Sequence, residues 1–183
     1  MNEKTDRELL KELIDQCVKT GGPFTLASGR ESNFYFDGKQ VTLSATGLQL
    51  LGRILAPLII ETGANALGGP STGADPMVAA IGLEALSLGK TLDLFFVRKE
   101  AKGHGTGKRI EGPPIPPRSS AILIEDVVTS GGSLIRAILA FREETEAQVD
   151  QAFCIVDREE GGISALAEIG VTLHPLFVAN DFL

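Results

Sequence analysis

The sequence has little cysteine, and this scarcity excludes two common ways of stabilising a small fold. Its two cysteines, Cys17 and Cys154, are far apart and form no CxxC pair. A disulfide framework and a structural zinc site are therefore not expected, and we interpret both residues as small buried hydrophobic side chains. A chain of 183 residues is long enough to form one domain with its own hydrophobic core.

The sequence also lacks a long apolar run and an excess of basic residues. No stretch approaches about 18 uninterrupted apolar residues, and the N-terminus MNEKTDRELLKEL is too charged for a signal peptide. The formal net charge of -7 opposes binding to nucleic acid or to an anionic membrane, because both require a broad basic surface. We expect a cytoplasmic protein with no nucleic-acid or membrane partner, in which any anion site is a local basic patch.

Apolar runs and helical stretches alternate along most of the chain. The runs TLDLFFV, AILIED and AFCIVD are apolar at successive positions, as in strands that are covered on both faces. This alternation predicts an α/β fold, with a doubly wound, mainly parallel five-stranded sheet flanked by helices. Pro57 is expected to kink or shorten one of the helices. The expected strands lie near 65–69, 91–97, 120–126, 150–156 and 172–178, and the expected helices lie near 44–62, 74–88, 132–145 and 161–169.

The first forty or so residues do not follow this alternation. The segment Thr5–Glu8 has the spacing of a capping box, and the helix that it begins is expected to end at Gly21–Gly22. Residues 24–39 then have the pattern of two short strands around a Ser-Gly-Arg turn. We therefore expect a single domain that consists of an N-terminal helix with a small hood subdomain, residues 1–43, and an α/β core, residues 44–183.

A long connection with little apolar content lies between Val97 and Ala121. Its first half, residues 98–109, contains five Lys or Arg residues against one acid and therefore carries a charge of +4 in an acidic protein. Three glycines at alternate positions make this half flexible. A flexible basic loop can close over a polyanionic ligand and exclude water. We predict a mobile, functional loop over 98–119, with His104 among its lysines.

The segment ILIEDVVTSGGS, residues 122–133, joins a strand end to a glycine-rich turn at the start of a helix. Ligands of a parallel sheet bind at the carboxyl ends of its strands, where Glu125 and Asp126 lie. Backbone N–H groups of the turn suit a phosphate, and the carboxylates can accept hydrogen bonds from a sugar diol or hold the waters of Mg²⁺. A phosphate beside a diol indicates a ribose 5-phosphate ligand. The turn is not a Walker A loop, because GxxxxGK[ST] is absent.

This segment resembles the phosphoribosyl pyrophosphate (PRPP) motif of type I phosphoribosyltransferases. Three further segments resemble orotate phosphoribosyltransferases within that superfamily: FTLASGRESNFYF (24–36), VRKEAKGHGTGKRIEG (97–112) and CIVDREEGG (154–162). The four segments occur in the order found in that family and span nearly the whole chain. On these segments the sequence is identified as a member of the orotate phosphoribosyltransferase family.

The resemblance implies a pentosyltransferase of de novo UMP biosynthesis. Its substrates would be PRPP and orotate, and Mg²⁺ would be its cofactor. Ribose 5-phosphate would be transferred to N1 of orotate, giving orotidine 5′-phosphate and pyrophosphate. The resemblance also implies a homodimer with shared active sites, in which the mobile loop of one subunit covers the PRPP of its neighbour.

The resemblance further assigns roles to individual residues. Lys102, His104 and Asp126 are the expected catalytic residues, and Glu125 and Asp126 are expected to hold the metal, mostly through water and PRPP. The loop on the pyrophosphate side comprises Ser71, Thr72 and Gly73. The implied orotate-binding residues are Thr129, Arg158, Tyr35 and Phe36. The implied PRPP-binding residues are Arg98, Lys99, Lys102, His104, Glu125, Asp126, Val127, Val128, Thr129, Ser130, Gly131, Gly132 and Ser133.

Two positions depart from the pattern of some family members. Ala27 stands where those members carry a lysine directly before the Ser-Gly-Arg turn, and Gly73 stands where they carry a lysine in the loop after the first core strand. Both changes remove a positive contact. Backbone N–H groups around residues 71–73 could contact pyrophosphate instead.

Three alternative functions compete with this one. Transfer to another base is opposed by Arg158, since a purine offers no carboxylate for it to pair with. A regulator that senses PRPP would be expected to lack the basic and histidine side chains of the loop, whereas this chain keeps Lys102 and His104. A generic nucleotide-binding domain leaves the basic loop unexplained.

Overall fold

The computed structural model describes residues 4–25, 31–101 and 107–183. Its secondary-structure elements are, in chain order, α1 (Asp6–Cys17), β1 (Val18–Thr25), β2 (Glu31–Phe36), α2 (Lys39–Thr42), α3 (Ala45–Glu61), β3 (Ala66–Gly68), α4 (Asp75–Ser87), β4 (Asp93–Leu94), β5 (Phe96–Val97), β6 (Ile110–Glu111), β7 (Ser120–Val128), α5 (Gly132–Glu144), β8 (Gln148–Asp157), α6 (Gly162–Glu168), β9 (Thr172–Val178) and a final 3₁₀ helix (Ala179–Phe182).

A five-stranded parallel sheet with the strand order β4-β3-β7-β8-β9 forms the core of the molecule. This confirms the fold class expected from the sequence. The first strand of the sheet, β3, pairs with β4 on one side and with β7 on the other. The order of the strands therefore reverses between β3 and β7. In an open sheet of this kind, ligands bind in the crevice at the carboxyl ends of the two strands where the order reverses.

Helices cover both faces of the sheet, as the runs of apolar residues predict. On β7, Ile122 and Ile124 pack with side chains of α3 and α4, whereas Ala121 and Leu123 pack with side chains of α5 and α6. Successive side chains of a strand point to opposite faces, so both faces of β7 are apolar. Within the described ranges, no helix is long and apolar enough to cross a membrane.

The helix α3 does not stop at its proline. It begins after Ser44, whose hydroxyl accepts the N–H of Gly47 over 2.9 Å, and it continues through Pro57 to Glu61. The expectation that Pro57 shortens the helix is therefore wrong. Pro57 lies on the exposed side of the helix, opposite the buried side chains that hold α3 against the core.

The N-terminal region contains the expected capped helix and hairpin, with one boundary displaced. The helix α1 begins at the predicted capping box but ends at Cys17, so the predicted end at Gly21–Gly22 is wrong. From Val18 the chain is extended, because Val18 pairs with Phe36 in an antiparallel ladder between β1 and β2. Both glycines lie inside β1, where the ladder is irregular. The predicted Ser-Gly-Arg turn lies at residues 26–30, outside the described residues.

Part of the predicted mobile segment 98–119 has regular structure. The strands β5 and β6 pair antiparallel with Val97 opposite Ile110, and the N–H of Arg98 donates to the carbonyl of Arg109 over 2.9 Å. We call β5, β6, Arg98 and Arg109 the loop stem. The stem brings the two ends of the basic loop together, which the low apolar content of the segment did not indicate.

The two cysteines have the environment expected from the sequence. Both thiols are free; Cys154 is fully buried in β8, and Cys17 is partly buried against the core. Burial raises the pKa of the Cys154 thiol far above its usual value, so it remains protonated and unreactive.

Candidate active site

The carboxyl ends of β3 and β7 lie side by side where the strand order reverses. The loop that follows β3 passes so close to β7 that a side chain at Gly69 would overlap the carbonyl oxygen of Ile124. Only glycine permits this approach. The peptide bond between Ser71 and Thr72, in the same loop, is cis. The predicted pyrophosphate-side loop therefore lies directly beside the acidic end of β7.

The carboxylate of Asp126 lies between two glycines from different parts of the chain. A Cβ at Gly38 would be 2.5 Å from Oδ2 of Asp126, and a Cβ at Gly73 would be 3.1 Å from Oδ1. The N–H of Val127 donates to Oδ1 over 2.9 Å. Three segments thus meet at one carboxylate: the end of β7, the loop after β3 and the turn between β2 and α2.

Both acids at the end of β7 are destabilised in their charged form. Burial raises the pKa of Glu125 to about 7, and the nearby Asp126 adds to this rise, whereas hydrogen bonding to Ser133 and the charge of Arg136 oppose it. Burial also raises the pKa of Asp126, against the hydrogen bond from the Val127 N–H. A nearby cationic group would relieve this cost, so the acidic end of β7 is suited to a metal ion or a positively charged sugar.

The glycine-rich turn lies at the amino end of α5, as predicted. Gly131 is the N-cap with φ of 78° and has no capping side chain of its own, whereas the Glu125 carboxylate accepts hydrogen bonds from the Ser133 hydroxyl and the Leu134 N–H in the first turn. Backbone N–H groups at such a helix end suit a phosphate. The turn is supported from β8, because a Cβ at Gly162 would be 2.8 Å from the carbonyl oxygen of Thr129 and the N–H of Arg158 donates to the carbonyl of Val128 over 2.8 Å.

A cleft of about 220 Å³ adjoins the turn and brings basic side chains to it. It connects the loop after β3, the loop stem and the first turns of α5. The structure therefore brings together three regions that the sequence assigned to PRPP. The lining residues are Pro70, Ser71, Val97, Arg98, Lys99, Arg109, Ser133, Arg136 and Ala137. Lys102 and His104 lie outside the described residues.

The predicted orotate contacts lie in different surroundings. Arg158 follows β8 with a side chain that is 8% exposed, and its Nη2 is 3.0 Å from Oε1 of Glu160. Phe36 is buried at 7% exposure within the core, whereas Tyr35 is partly buried with its ring 6.0 Å from that of Phe24. Adjacent strand residues point to opposite faces, so Tyr35 points away from the core that holds Phe36.

Comparison with known proteins decides the family. No family model matches the chain. An orotate phosphoribosyltransferase of Rhodopirellula baltica is 41% identical over 191 residues, which cover 99% of this chain and 97% of that protein. One of Thermosynechococcus vestitus is 40% identical over 175 residues, covering 96% and 92%. This chain belongs to the orotate phosphoribosyltransferase family. The crystal structure of the Mycobacterium tuberculosis orotate phosphoribosyltransferase in complex with PRPP has a TM-score of 0.79 and 29% identity, covering 97% of this chain and 99% of that one.

Two residues of this orotate phosphoribosyltransferase were missed by the sequence analysis. Gly38 brings the turn after β2 against Asp126, and the next residue, Lys39, interacts electrostatically with Asp126 while its Nζ lies 2.8 Å from Oδ1 of Asp37. A glycine two residues after the aromatic pair was the available signal, since glycine often marks a close backbone approach. Its partner is distant in sequence and could not be identified.

Substitution of Glu125 in this orotate phosphoribosyltransferase should make stability depend less on pH. The folded protein holds the Glu125 proton up to about pH 7, whereas the usual value is 4.5, so the folded state binds more protons than the unfolded state between these values. Stability therefore falls as pH rises through this window. Glu125→Gln removes the penalty, and its free energy of unfolding should exceed the parent's by roughly 3 kcal/mol at pH 8 and by about zero at pH 4.5.

Urea denaturation across this pH range measures the effect. The exposed Glu168→Gln is the matched control, for which no such pH-dependent gain is expected. A constant difference between Glu125→Gln and the parent from pH 4.5 to pH 8 would contradict the assignment of this titration to Glu125.

Proposed function

We propose that this chain is a cytoplasmic enzyme that transfers the 5-phosphoribosyl group of PRPP to N1 of orotate, giving orotidine 5′-phosphate and pyrophosphate for pyrimidine biosynthesis. One observation supports this most strongly: the acidic pair Glu125–Asp126 runs directly into a glycine-rich turn at the amino end of α5, beside a basic cleft. The three features match the three polar groups of PRPP. The acid pair would bind the ribose diol, the glycine-rich turn would bind the 5-phosphate, and the basic cleft would bind pyrophosphate.

The 5-phosphate is proposed to bind at residues 129–133. Backbone N–H groups of this turn would donate to its oxygens, with Thr129, Ser130 and Ser133 adding hydroxyl donors. Glu125 and Asp126 would accept hydrogen bonds from the ribose hydroxyls. Val127 and Val128 would hold the acids and the turn in place through the strand β7.

Pyrophosphate is proposed to bind between the loop after β3 and the basic loop. Arg98 and Lys99 line the cleft beside Ser71, and Lys102 and His104 would extend from the same loop. The backbone at residues 71–73 would supply further donors. A highly charged leaving group is stabilised most by such fixed positive groups, because charge develops on it as its bond to carbon breaks.

The acid pair fits the Mg²⁺ ion that this chemistry implies. Mg²⁺ usually keeps several waters and binds through one or two carboxylates together with substrate phosphates, and two partly buried acids at the end of β7 are suited to that arrangement. When bound, the ion would neutralise charge on the pyrophosphate group. Glu125 and Asp126 would hold it, mostly through water and PRPP oxygens.

The chemical step exchanges one bond at the anomeric carbon for another. The bond from this carbon to the pyrophosphate oxygen breaks and the bond to N1 of orotate forms, with positive charge on the sugar between the two events, and the N1 proton passes to the departing pyrophosphate or to water. The carboxylate of Asp126 would face that charge and stabilise it. Lys102 and His104 would assist departure of pyrophosphate. Thr129, Arg158 and the ring of Tyr35 would position orotate, with Arg158 pairing with its carboxylate, whereas Phe36 points into the core and is therefore not proposed to contact orotate.

The proposed enzyme is a homodimer with shared active sites. The loop 98–119 of one protomer would cover the PRPP of its partner, closing over pyrophosphate and excluding water. Within each protomer, residues 1–43 would form a hood over the α/β core of residues 44–183. The contact between Gly38 and Asp126 supports this arrangement, because it places the end of the hood at the acid pair.

An absorbance assay tests the proposed function directly. The purified protein is mixed with PRPP, Mg²⁺ and orotate, and loss of orotate absorbance is followed, with uracil, hypoxanthine and adenine as parallel bases. We expect consumption of orotate alone, dependent on Mg²⁺. Pyrophosphate release with a different base would retain phosphoribosyl transfer and overturn the specificity. Binding of PRPP without turnover of any base would favour a PRPP-sensing protein.

A further inference from the structure

The last turn of α5 carries two adjacent acids, Glu143 and Glu144, that both contact the loop stem. Acidic side chains at the carboxyl end of a helix lie beside the negative pole of the helix dipole and are unfavourable there. A compensating partner is therefore required, and Arg109 of the stem supplies positive charge to both.

Glu144 makes the more extensive contact of the two. Its carboxylate accepts the N–H of Arg109 over 2.9 Å at Oε1 and 3.1 Å at Oε2, and the N–H of Ile110 over 3.3 Å at Oε2. Nε of Arg109 lies 3.6 Å from its Oε1, and the side chain is 15% exposed. Glu143 is 75% exposed and contacts Nη2 of Arg109 at 3.0 Å. Backbone contacts thus distinguish Glu144 from its neighbour.

These contacts connect two regions of the proposed active site. The carbonyl of Arg109 accepts the N–H of Arg98, so the backbone that Glu144 holds is hydrogen-bonded to the first residue of the basic loop. At its amino end, α5 begins at Gly132, within the turn of residues 129–133 that is proposed to bind the 5-phosphate. We call these residues the phosphate turn. One helix therefore carries the turn at its amino end and a carboxylate that holds the loop stem at its carboxyl end.

We propose that Glu144 is a positioning residue that fixes the loop stem on α5 and so sets the direction in which the basic loop leaves its protomer toward the PRPP that it covers. The consequence for catalysis rests on the proposed function. A fixed stem limits the directions in which the loop can project, which favours the arrangement in which its basic side chains reach pyrophosphate. Loss of the anchor should therefore lower turnover more than it weakens substrate binding.

Kinetics of three variants test the proposal. For Glu144→Ala we expect kcat to fall about 10- to 100-fold, as for a small misplacement of catalytic groups, with KM for orotate within about threefold of the parent. Glu144→Gln keeps a carbonyl oxygen for the Arg109 N–H and should lose only about threefold. Glu143→Ala is the matched control, because it removes a neighbouring acid that contacts the same arginine, and its kcat should change less than about twofold.

Limited trypsin digestion provides a readout that does not depend on catalysis. Trypsin cleaves after Lys and Arg, which are frequent in 98–109. Glu144→Ala should be cut in this segment at least about fivefold faster than Glu143→Ala, with the urea midpoint of unfolding unchanged. Equal cleavage and equal kcat in the two variants would overturn the proposal.

The same experiments still test the role of Glu144 if the parent is inactive or if one variant does not fold. If the parent does not turn over orotate, the proposed function fails while the cleavage comparison still decides whether Glu144 anchors the stem. If Glu144→Ala does not fold, Glu144→Met is measured instead, because methionine keeps the length of the side chain but has no oxygen to accept the Arg109 and Ile110 N–H groups. Parental kcat and a parental cleavage rate in Glu144→Met would then overturn the proposal.

Discussion

Asp126→Asn is expected to lower kcat on the order of 10²- to 10³-fold while leaving the protein folded. The amide has almost the same shape as the carboxylate, so it can stay between Gly38 and Gly73 and still accept the Val127 N–H. It cannot provide the negative charge that faces the sugar as pyrophosphate leaves. Because burial raises the pKa of Asp126, a neutral side chain also avoids a desolvation cost, and the thermal midpoint should not fall.

Steady-state rates at saturating PRPP and orotate, with thermal melts, check this result. Asp150→Asn is the matched control, since Asp150 is an exposed acid near the amino end of β8 and its replacement should leave both quantities unchanged. A kcat for Asp126→Asn within about threefold of the parent would remove Asp126 from the proposed chemistry.

Arg158→Gln is expected to reduce kcat/KM for orotate on the order of 10²-fold, because it removes the nearly buried guanidinium that we propose pairs with the substrate carboxylate. The KM for PRPP should change little. Arg158→Lys should fall between the parent and the glutamine variant, because lysine keeps the charge but not the planar pair of donors. The ion pair with Glu160, at 3.0 Å from Nη2, restricts the orientation of the Arg158 guanidinium.

The two KM values, each measured with the other substrate saturating, separate the possible outcomes. Arg53→Gln serves as the control, because Arg53 is half exposed and pairs with Asp6 of α1 instead of any residue of the site. A loss that falls mainly on PRPP would show that Arg158 supports the phosphate turn and does not recognise orotate.

The α/β core could be predicted from the sequence because its signals are local. The strands β7 and β8 are covered on both faces, so their apolar runs are uninterrupted and flanked by helical stretches. The position of the segment from Glu125 to Ser133, at the end of a strand and the start of a helix, could also be predicted, because its acids, hydroxyls and glycines follow one another in the chain.

Features that depend on distant partners could not be predicted. The end of α1 was misplaced because Gly21–Gly22 is a strong local stop signal, whereas the pairing of Val18 with Phe36 extends the chain earlier. The stem strand β6 is only two residues long and exists through its pairing with β5. The contact of Gly38 with Asp126 joins segments far apart in the sequence, so the partner of this glycine could not be identified from the sequence. The roles of Lys102 and His104 stay predictions.

The glycines on either side of Asp126 limit how this site can change during evolution. A lysine at position 73, as some relatives carry, would place its Cβ 3.1 Å from the Asp126 carboxylate, which would have to move away. On its opposite side, the Asp126 carboxylate is already in close contact with the turn at Gly38, which leaves it little room to move. A side chain at position 73 is therefore accommodated only if Asp126 shifts by a few tenths of an ångström, so the residues at positions 38, 73 and 126 constrain one another's replacement.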